Sequence, residues 1–421
     1  MKTKTADGRG LRHRNSRKVS ALARLFGRNL VISISLAVSG GFATPVNASP
    51  VALLSARNPS ITLPAGGDGN SAAPSLSADG RYVVFASTAN NLVPGGNSFY
   101  SLNVFLRDRL SNTTSLVSVN LGGAGGGNGN SILGQVSSNG QFVVFQSDAG
   151  NLVPNDTNGS TDIFVRDLVA GTTALVSVST NGGPANGSST DPVMTPDGRY
   201  VAFISYASNL VPNDTNSSPD VFVRDLIAGT NYLVSVGAML LPGNPRSSSM
   251  AMPAITPDGR YVAFFSTATN LVSQVPATSQ GEVYVRDLTA GTTVWASTNA
   301  ASIVSATLGL SGAPAYHPRL SANGRYVAFK AGPASPGGAN VILEYDMTMG
   351  TTAVINTNGM GGSTVLDDSY GPEMTPDGRF LAFAKYEGAA SLGYSSVHVW
   401  DSQAAVDTLV SDDGGGVPTN T

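Results

Sequence analysis

Residues 195–203 read Thr-Pro-Asp-Gly-Arg-Tyr-Val-Ala-Phe, and this stretch decides the fold of the chain. The pair Asp197-Gly198 is the strongest short sequence signal for a tight turn between antiparallel strands. After the turn, residues 200–205 alternate between the two faces of a strand, yet both faces are apolar. Such a strand needs cover on both sides, because the apolar surface of each side has to be removed from water.

The same stretch occurs six times, so the chain is built from an internal repeat. A second string, Val221-Phe-Val-Arg224-Asp225, follows the turn at a nearly constant distance and returns in every unit, with more changes in the last two. A third element, Ala228-Gly-Thr230 and its variants, leads into a short apolar run. The glycine of the first turn recurs at intervals of 54 to 65 residues, as Gly80, Gly140, Gly198, Gly259, Gly324 and Gly378.

Each unit therefore predicts four short antiparallel strands, which we name A to D. In the third unit we place them at 192–195, 200–205, 221–226 and 232–236. Neighbouring sheets of the same kind can cover both faces of strand B if they are arranged radially. The sequence predicts an all-β fold, a six-bladed β-propeller of four-stranded antiparallel blades.

The signature Pro-Asp-Gly-Arg-Tyr-Val-Ala-Phe resembles the WD-like repeat of TolB-type propellers, which also forms the propeller of prolyl oligopeptidase-type enzymes. The resemblance covers about residues 71–411. It implies an exported bacterial propeller, often periplasmic or secreted, that serves as a platform for protein interaction. The α/β domain that precedes a TolB propeller has no counterpart in residues 49–70, and no hydrolase domain accompanies the repeats. The resemblance therefore concerns the propeller alone.

The N-terminal residues differ from the rest in charge. Residues 1–48 hold nine of the 24 basic residues and one of the 27 acidic residues, so the remainder has a net charge of −11. A short apolar run, 30–43, and small residues before Ser49 complete the layout of a secretory signal peptide. We expect cleavage after residue 48, a periplasmic or extracellular location, and no membrane span in the mature chain.

Residues 49–70 resemble a strand D followed by a loop, which indicates a possible closure of the propeller, and residues 71–421 form the propeller itself. The acidic character of the mature chain argues against nucleic acid or an anionic membrane as a partner. The chain has no cysteine, which excludes disulfides and thiolate metal sites. We expect a monomer.

The strand order predicts where function lies. Turns A–B and C–D are short and fall on one end of the blades, whereas the B–C and D–A loops are long, variable and fall on the other. Variable loops on a rigid scaffold are the usual place for binding. We name this end the loop face and the other the turn face. The candidate binding residues are Asp191, Tyr316, His317 and Tyr370.

Two B–C loops carry oxygen-bearing side chains at alternating positions and end in a carboxylate, a pattern that suits Ca²⁺. An alternative is that these side chains only stabilise their own turns. No other cofactor is expected. The candidate calcium ligands are Asp156, Asn158 and Asp162 in the second unit, and Asp214, Asn216 and Asp220 in the third.

Catalytic motifs are sparse. The nucleophile-elbow and phosphate-loop patterns are absent, and the mature chain holds two histidines, His317 and His398. The sequence favours a non-catalytic scaffold that binds a protein, another ligand or an envelope polymer through the B–C and D–A loops. Two alternatives stay open: a metal-dependent hydrolase or lyase that uses carboxylates near the axial channel, and a structural module of a larger, truncated secreted protein.

Overall fold

A computed structural model describes residues 66–94, 101–216, 218–237, 252–273, 275, 280–333, 339–360, 371–387 and 394–411. The predictions for residues 1–48 and for most of 49–70 therefore lie outside the described residues. The described chain forms six antiparallel units of four strands each, which confirms the predicted all-β, six-bladed propeller.

The strands follow in chain order, four to a blade. Blade 1 contains β1 (Ser71–Leu76), β2 (Tyr82–Ser87), β3 (Asn103–Asp108) and β4 (Thr113–Leu116). Blade 2 contains β5 (Ser131–Val136), β6 (Phe142–Ser147), β7 (Asp162–Asp167) and β8 (Thr172–Leu175). Blade 3 contains β9 (Ser189–Met194), β10 (Tyr200–Ser205), β11 (Asp220–Asp225) and β12 (Thr230–Leu233).

The second half repeats this plan with more variation. Blade 4 contains β13 (Ala254–Ile255), β14 (Tyr261–Ser266), β15 (Glu282–Asp287) and β16 (Thr292–Trp295). Blade 5 contains β17 (Ala315–Leu320), β18 (Tyr326–Ala331), β19 (Ala339–Asp346) and β20 (Thr351–Met360). Blade 6 contains β21 (Glu373–Met374), β22 (Phe380–Glu387), β23 (Tyr394–Asp401) and β24 (Val406–Leu409). A helix, α1 (Ala300–Leu308), lies in the loop between blades 4 and 5, and no helix among the described residues is long and apolar enough to cross a bilayer.

Strand B is buried between two neighbouring blades, as its two apolar faces predicted. In blade 3, Val201 and Phe203 pack against blade 2, while Ala202 and Ile204 pack against blade 4. The A strands of consecutive blades contact each other from blade 1 to blade 6, so strand A is the innermost strand. In blades 1 to 3, strand D pairs only with strand C and forms the outer edge. In blade 5, strand D (β20) also pairs with β22 of blade 6 at Gly359 and Lys385, which joins blades 5 and 6 into one eight-stranded sheet.

The Asp-Gly turn is needed for packing between blades as well as for the hairpin. Thr195 Oγ1 donates to Asp197 Oδ1 at 2.5 Å, and the same oxygen accepts the Arg199 amide N–H at 3.0 Å. Gly198 has φ +79°, and a Cβ atom there would lie 2.6 Å from the ring of Phe142 in blade 2. Glycine is therefore required both by its left-handed backbone and by the aromatic ring of the preceding blade.

The arginine after this turn braces strand C. Arg199 Nη2 lies 2.8 Å from Asp225 Oδ2, and its guanidinium carbon lies 4.6 Å from the centre of the Tyr200 ring. The adjacent Arg224 points to the other face and donates to Asn231 Oδ1 at 3.1 Å. Arg224 and Asp225 therefore make different contacts, because consecutive residues of a strand face opposite sides.

The face of blade 6 that points away from blade 5 is more exposed than the equivalent face of blades 1 to 3. Val117, Val176 and Val234 follow strand D in blades 1 to 3, and each is fully buried against the next blade. Val410 follows strand D in blade 6 with the same backbone hydrogen bond to strand C, yet it is 54% exposed. The same valine position therefore occurs in a buried and in an exposed setting within one chain.

This difference predicts unequal effects of one substitution. We expect Val176→Ala to lower the free energy of unfolding by about 1–3 kcal/mol, because buried methyl groups are lost and a cavity remains. We expect Val410→Ala to change it by less than about 0.5 kcal/mol. Urea denaturation of both variants measures the difference. Equal losses of unfolding free energy would contradict the exposure of this face of blade 6.

Candidate functional site

The candidate binding residues of strand A lie at one repeated backbone position. Asp191 and His317 have φ values of +56° and +55°, and Ala73 and Leu133 have +50° and +53° at the same place in blades 1 and 2. In all four blades the pairing of strands A and B shifts register here. The bulge is thus a feature of the repeat, and it places Asp191 and His317 at equivalent points on the innermost strands of blades 3 and 5.

The side chains at this position have different environments. Asp191 is half-buried and accepts a hydrogen bond from Thr190 Oγ1 at 2.8 Å. His317 is only 1% exposed, although it lies on the innermost strand of its blade. A ligand that approaches this backbone position would therefore contact Asp191 more readily than His317.

Tyr316 is part of strand β17 and is fully buried, whereas the sequence placed it on the loop face. Its hydroxyl donates to Asn340 Oδ1 at 2.8 Å, and the Lys330 ammonium lies 5.4 Å from the centre of its ring. Strand A of blade 5 begins at Ala315, which is earlier than the strand A predicted from the third unit implies. Tyr316 is therefore part of the sheet and is buried. Tyr370 lies outside the described residues, so its role stays a prediction.

The carboxylates at the ends of the two candidate calcium loops hold strands C and D together. Asp162 accepts hydrogen bonds from Ser177 Oγ and Asn158 Nδ2, both at 2.6 Å. Asp220 accepts from Ser235 Oγ at 2.6 Å and from Asn216 Nδ2 at 2.8 Å, and in blade 1 the amide oxygen of Asn103 accepts from Ser118 Oγ at 2.7 Å. The residue at this position joins strand C to the serine that follows strand D, whether it is Asp or Asn. We name this position, which is Asn103, Asp162 and Asp220 in blades 1 to 3, the polar clasp of the repeat.

Burial dominates the electrostatics of these loops. Desolvation raises the pKa of Asp162 and of Asp220 to about 6, and it also raises the pKa of Asp156 and Asp214, which are each 7% exposed. Asp156 lies close enough to Asp162 to contribute to that rise. A cation would relieve this penalty, but Asn158 presents its nitrogen to Asp162, so binding would require the amide to turn.

Metal ligands are otherwise scarce. Among the described residues, no group of three or more His, Asp or Glu side chains is placed to hold a metal ion. The calcium loops contain two carboxylates each and depend on amide and backbone oxygens for further ligands.

Blade 6 contains a hydroxyl–imidazole–carboxylate series that the sequence did not suggest. Ser396 Oγ lies 3.0 Å from His398 Nε2, and His398 Nδ1 lies 2.8 Å from Asp407 Oδ1. Ser396 and His398 are each 6% exposed. Ser396 occupies the position of the clasp residues Asn103 and Asp162, so we interpret the series as the polar clasp of blade 6 rather than as a nucleophilic site.

Glu344 is a buried acid that sequence reasoning missed. It is 6% exposed on β19, and its Oε1 atom has no hydrogen-bond partner among the described residues. Burial raises its pKa to about 7. Counting back from Asp346 in the repeat shows that Glu344 stands where blades 3 and 4 have Val223 and Val285, and this count is a signal that the sequence does contain.

The comparisons with known proteins concern the fold. No protein-family model and no curated protein matches this sequence. Among solved structures, TolB from Acinetobacter baumannii is 16% identical with a TM-score of 0.39, and the similarity covers 73% of this chain and 58% of that one. An oligogalacturonate lyase in complex with manganese is 13% identical over 79% of this chain and 74% of that one, with a TM-score of 0.49.

A third structure is the β-propeller domain of the Trilobed protease from Pyrococcus furiosus, which has an open velcro topology. It is 11% identical, with 82% of this chain and 98% of that one covered and a TM-score of 0.35. All three identities are below 25%, so these similarities concern the fold alone.

Glu344 predicts a pH dependence of stability. Its pKa in the folded protein lies above the ordinary 4.5, so the folded state holds the proton more tightly. The stability that this proton provides is complete below about pH 4.5 and is lost as the pH rises to about 7, by about 3 kcal/mol. We expect Glu344→Val, which restores the residue type of the other blades, and the isosteric Glu344→Gln to remove this loss. Urea denaturation between pH 4 and 8 measures it, and a slope unchanged in both variants would show that another group causes it.

The calcium prediction has a direct measurement. If the loops bind Ca²⁺, about 10 mM Ca²⁺ raises the melting temperature of the wild type, because a ligand that binds only the folded state stabilises it. The double variant Asp156→Asn, Asp214→Asn keeps the shape of both loops and loses two carboxylates, so we expect no rise. Equal amounts of Mg²⁺ serve as the ionic-strength control. A wild-type melting temperature that Ca²⁺ does not move would remove the prediction.

Proposed function

We propose that this chain is an exported, non-catalytic scaffold that binds a protein or an envelope polymer on its loop face. The observation that carries the proposal is a set of hydrogen bonds that attach the B–C loops to the segments before strand A. An asparagine in the B–C loop of blades 1, 2 and 3 accepts a backbone N–H from the segment that leads into strand A of the same blade. The acceptors are Asn91, Asn151 and Asn209, at 3.0, 2.9 and 3.0 Å.

These hydrogen bonds fix the bases of the loops on a rigid core and leave the rest of each loop free to vary. The segments before strand A differ from blade to blade, and α1 occupies this segment in blade 5. Fixed bases with variable tips are the usual arrangement of binding loops on a β scaffold. Leader cleavage after residue 48 would bring this surface to an envelope partner.

The loop face also exposes large apolar side chains. Leu121, Tyr206 and Leu310 lie in loops at this end of blades 2, 3 and 4–5, with exposures of 57, 55 and 40%. Exposed aromatic and aliphatic side chains are favourable anchors in protein interfaces, because their burial against a partner contributes most of the binding energy. The repeated Arg and Asp side chains are used within the blades and are not needed for this surface.

Site-specific photo-crosslinking in a bacterium that exports the protein tests the loop face. We replace Tyr206 or Leu310 with p-benzoylphenylalanine, and we replace Leu110 or Met349 on the turn face as matched controls with 77 and 67% exposure. We expect covalent adducts from the two loop-face positions and at least a tenfold lower yield from the controls. Adducts confined to the turn face, or none from any position, would contradict the proposal.

A further inference from the structure

Five of the six blades have an arginine side chain at the same place. An arginine after the A–B turn binds the aspartate that ends strand C at 2.7–2.8 Å, and its guanidinium lies 4.6–4.8 Å from the centre of the next aromatic ring. The pairs are Arg81–Asp108, Arg199–Asp225, Arg260–Asp287, Arg325–Asp346 and Arg379–Asp401.

Blade 2 lacks this cation. Gln141 replaces the arginine, and its Nε2 donates to Asp167 Oδ2 at 3.0 Å. Asp167 has no ion pair within the described part of the chain, and the Ala170 N–H and other donors hold the pKa of its carboxyl below its usual range. The ring of Phe142 has the turn glycine Gly198 of blade 3 against it. Among the described residues, no arginine lies over this ring in the way that the other five lie over theirs. Blade 2 therefore keeps the aromatic ring and the ionised carboxylate but has lost the positive charge that fits between them.

These two groups line a groove between blades 2 and 3, which we call the blade 2–3 groove. It has a volume of about 400 Å³ and is lined mainly by Phe142, Val165, Asp167, Ala174, Leu226 and Ile227. Ile227 is 79% exposed at the rim. The groove is thus open to solvent and largely apolar. Its charged lining residues are Asp167, Asp197 and Arg199, and Arg199 is already paired with Asp225.

The equivalent groove between blades 4 and 5 provides an internal comparison. Its volume is about 260 Å³, and its lining includes Val294 where the first groove has Ala174 and Thr348 where the first has Ile227. Its aspartate, Asp287, is neutralised by Arg260, and Asn323 takes the place of Asp197. The blade 2–3 groove is therefore larger, more apolar at its rim and more negative.

We propose that the blade 2–3 groove binds an arginine side chain of a partner protein. The guanidinium supplies the charge that blade 2 lacks, lies over Phe142 and displaces Gln141 from Asp167. Arginine suits this place because its planar group stacks on an aromatic ring and binds a carboxylate through two parallel hydrogen bonds. Apolar neighbours of the arginine contact Leu226 and Ile227. The groove lies on the turn face, so this site is separate from the loop face and can fail or hold independently of it.

The probe is the peptide acetyl-Leu-Arg-Leu-amide, with citrulline in place of arginine as its neutral isostere. Binding is followed by NMR on protein with labelled isoleucine methyl groups, in which Ile227 reports the groove and Ile255 in blade 4 serves as a distant reference. We expect a saturable shift of the Ile227 signal, at least tenfold weaker binding of the citrulline peptide, and weaker binding at 0.5 M salt.

Two variants that copy residues of the other blades complete the experiment. Gln141→Arg rebuilds the pair of the other five blades, and Ala174→Val narrows the groove as Val294 does in blade 4. We expect each to raise the Kd of the arginine peptide at least tenfold without lowering the melting temperature. The proposal is overturned if the citrulline peptide binds equally well, if Gln141→Arg leaves the Kd unchanged, or if about 10 mM peptide produces no shift at Ile227.

Discussion

The packing of strand B between two blades is the interaction on which the rest of the structure depends. Its residues are apolar on both sides, and in blade 3 each side is covered by a neighbouring blade. Val201 and Phe203 face one neighbour, while Ala202 and Ile204 face the other. Each buried valine, isoleucine or phenylalanine of this kind contributes about 1.5–3 kcal/mol, so a series of blades gains stability from contacts that a single sheet cannot make.

The polar residues of the repeat act at the ends of this packed strand. At the turn end, Gly198 approaches the ring of the preceding blade, and Arg199 joins the turn to the end of strand C through Asp225. At the loop end, Asp162 or its counterpart joins strand C to strand D, and asparagines such as Asn151 fix the loops. The residues that look most like a functional signature in the sequence therefore maintain the blades.

Departures from the repeat are consequently more informative about function than the repeat itself. Gln141 leaves Asp167 without its cation, and the buried acid Glu344 takes the place of a valine. Both changes place an uncompensated charge or a titratable group where the other blades have a neutral arrangement. The first lies in an open groove and suits a ligand, whereas the second is buried and acts on stability.

The sequence by itself determined the number of blades, the strand order and the burial of strand B, because these follow from local turn chemistry and from a two-residue periodicity. It did not determine which residues that are distant along the chain contact each other. Gln141 and Asp167 are 26 residues apart, and the meaning of that glutamine depends on the Arg–Asp contact of the folded blades. Tyr316 was expected on the loop face, yet strand A extends far enough to bury it. Pairing and burial between segments are set by how neighbouring blades pack, which only the tertiary structure decided.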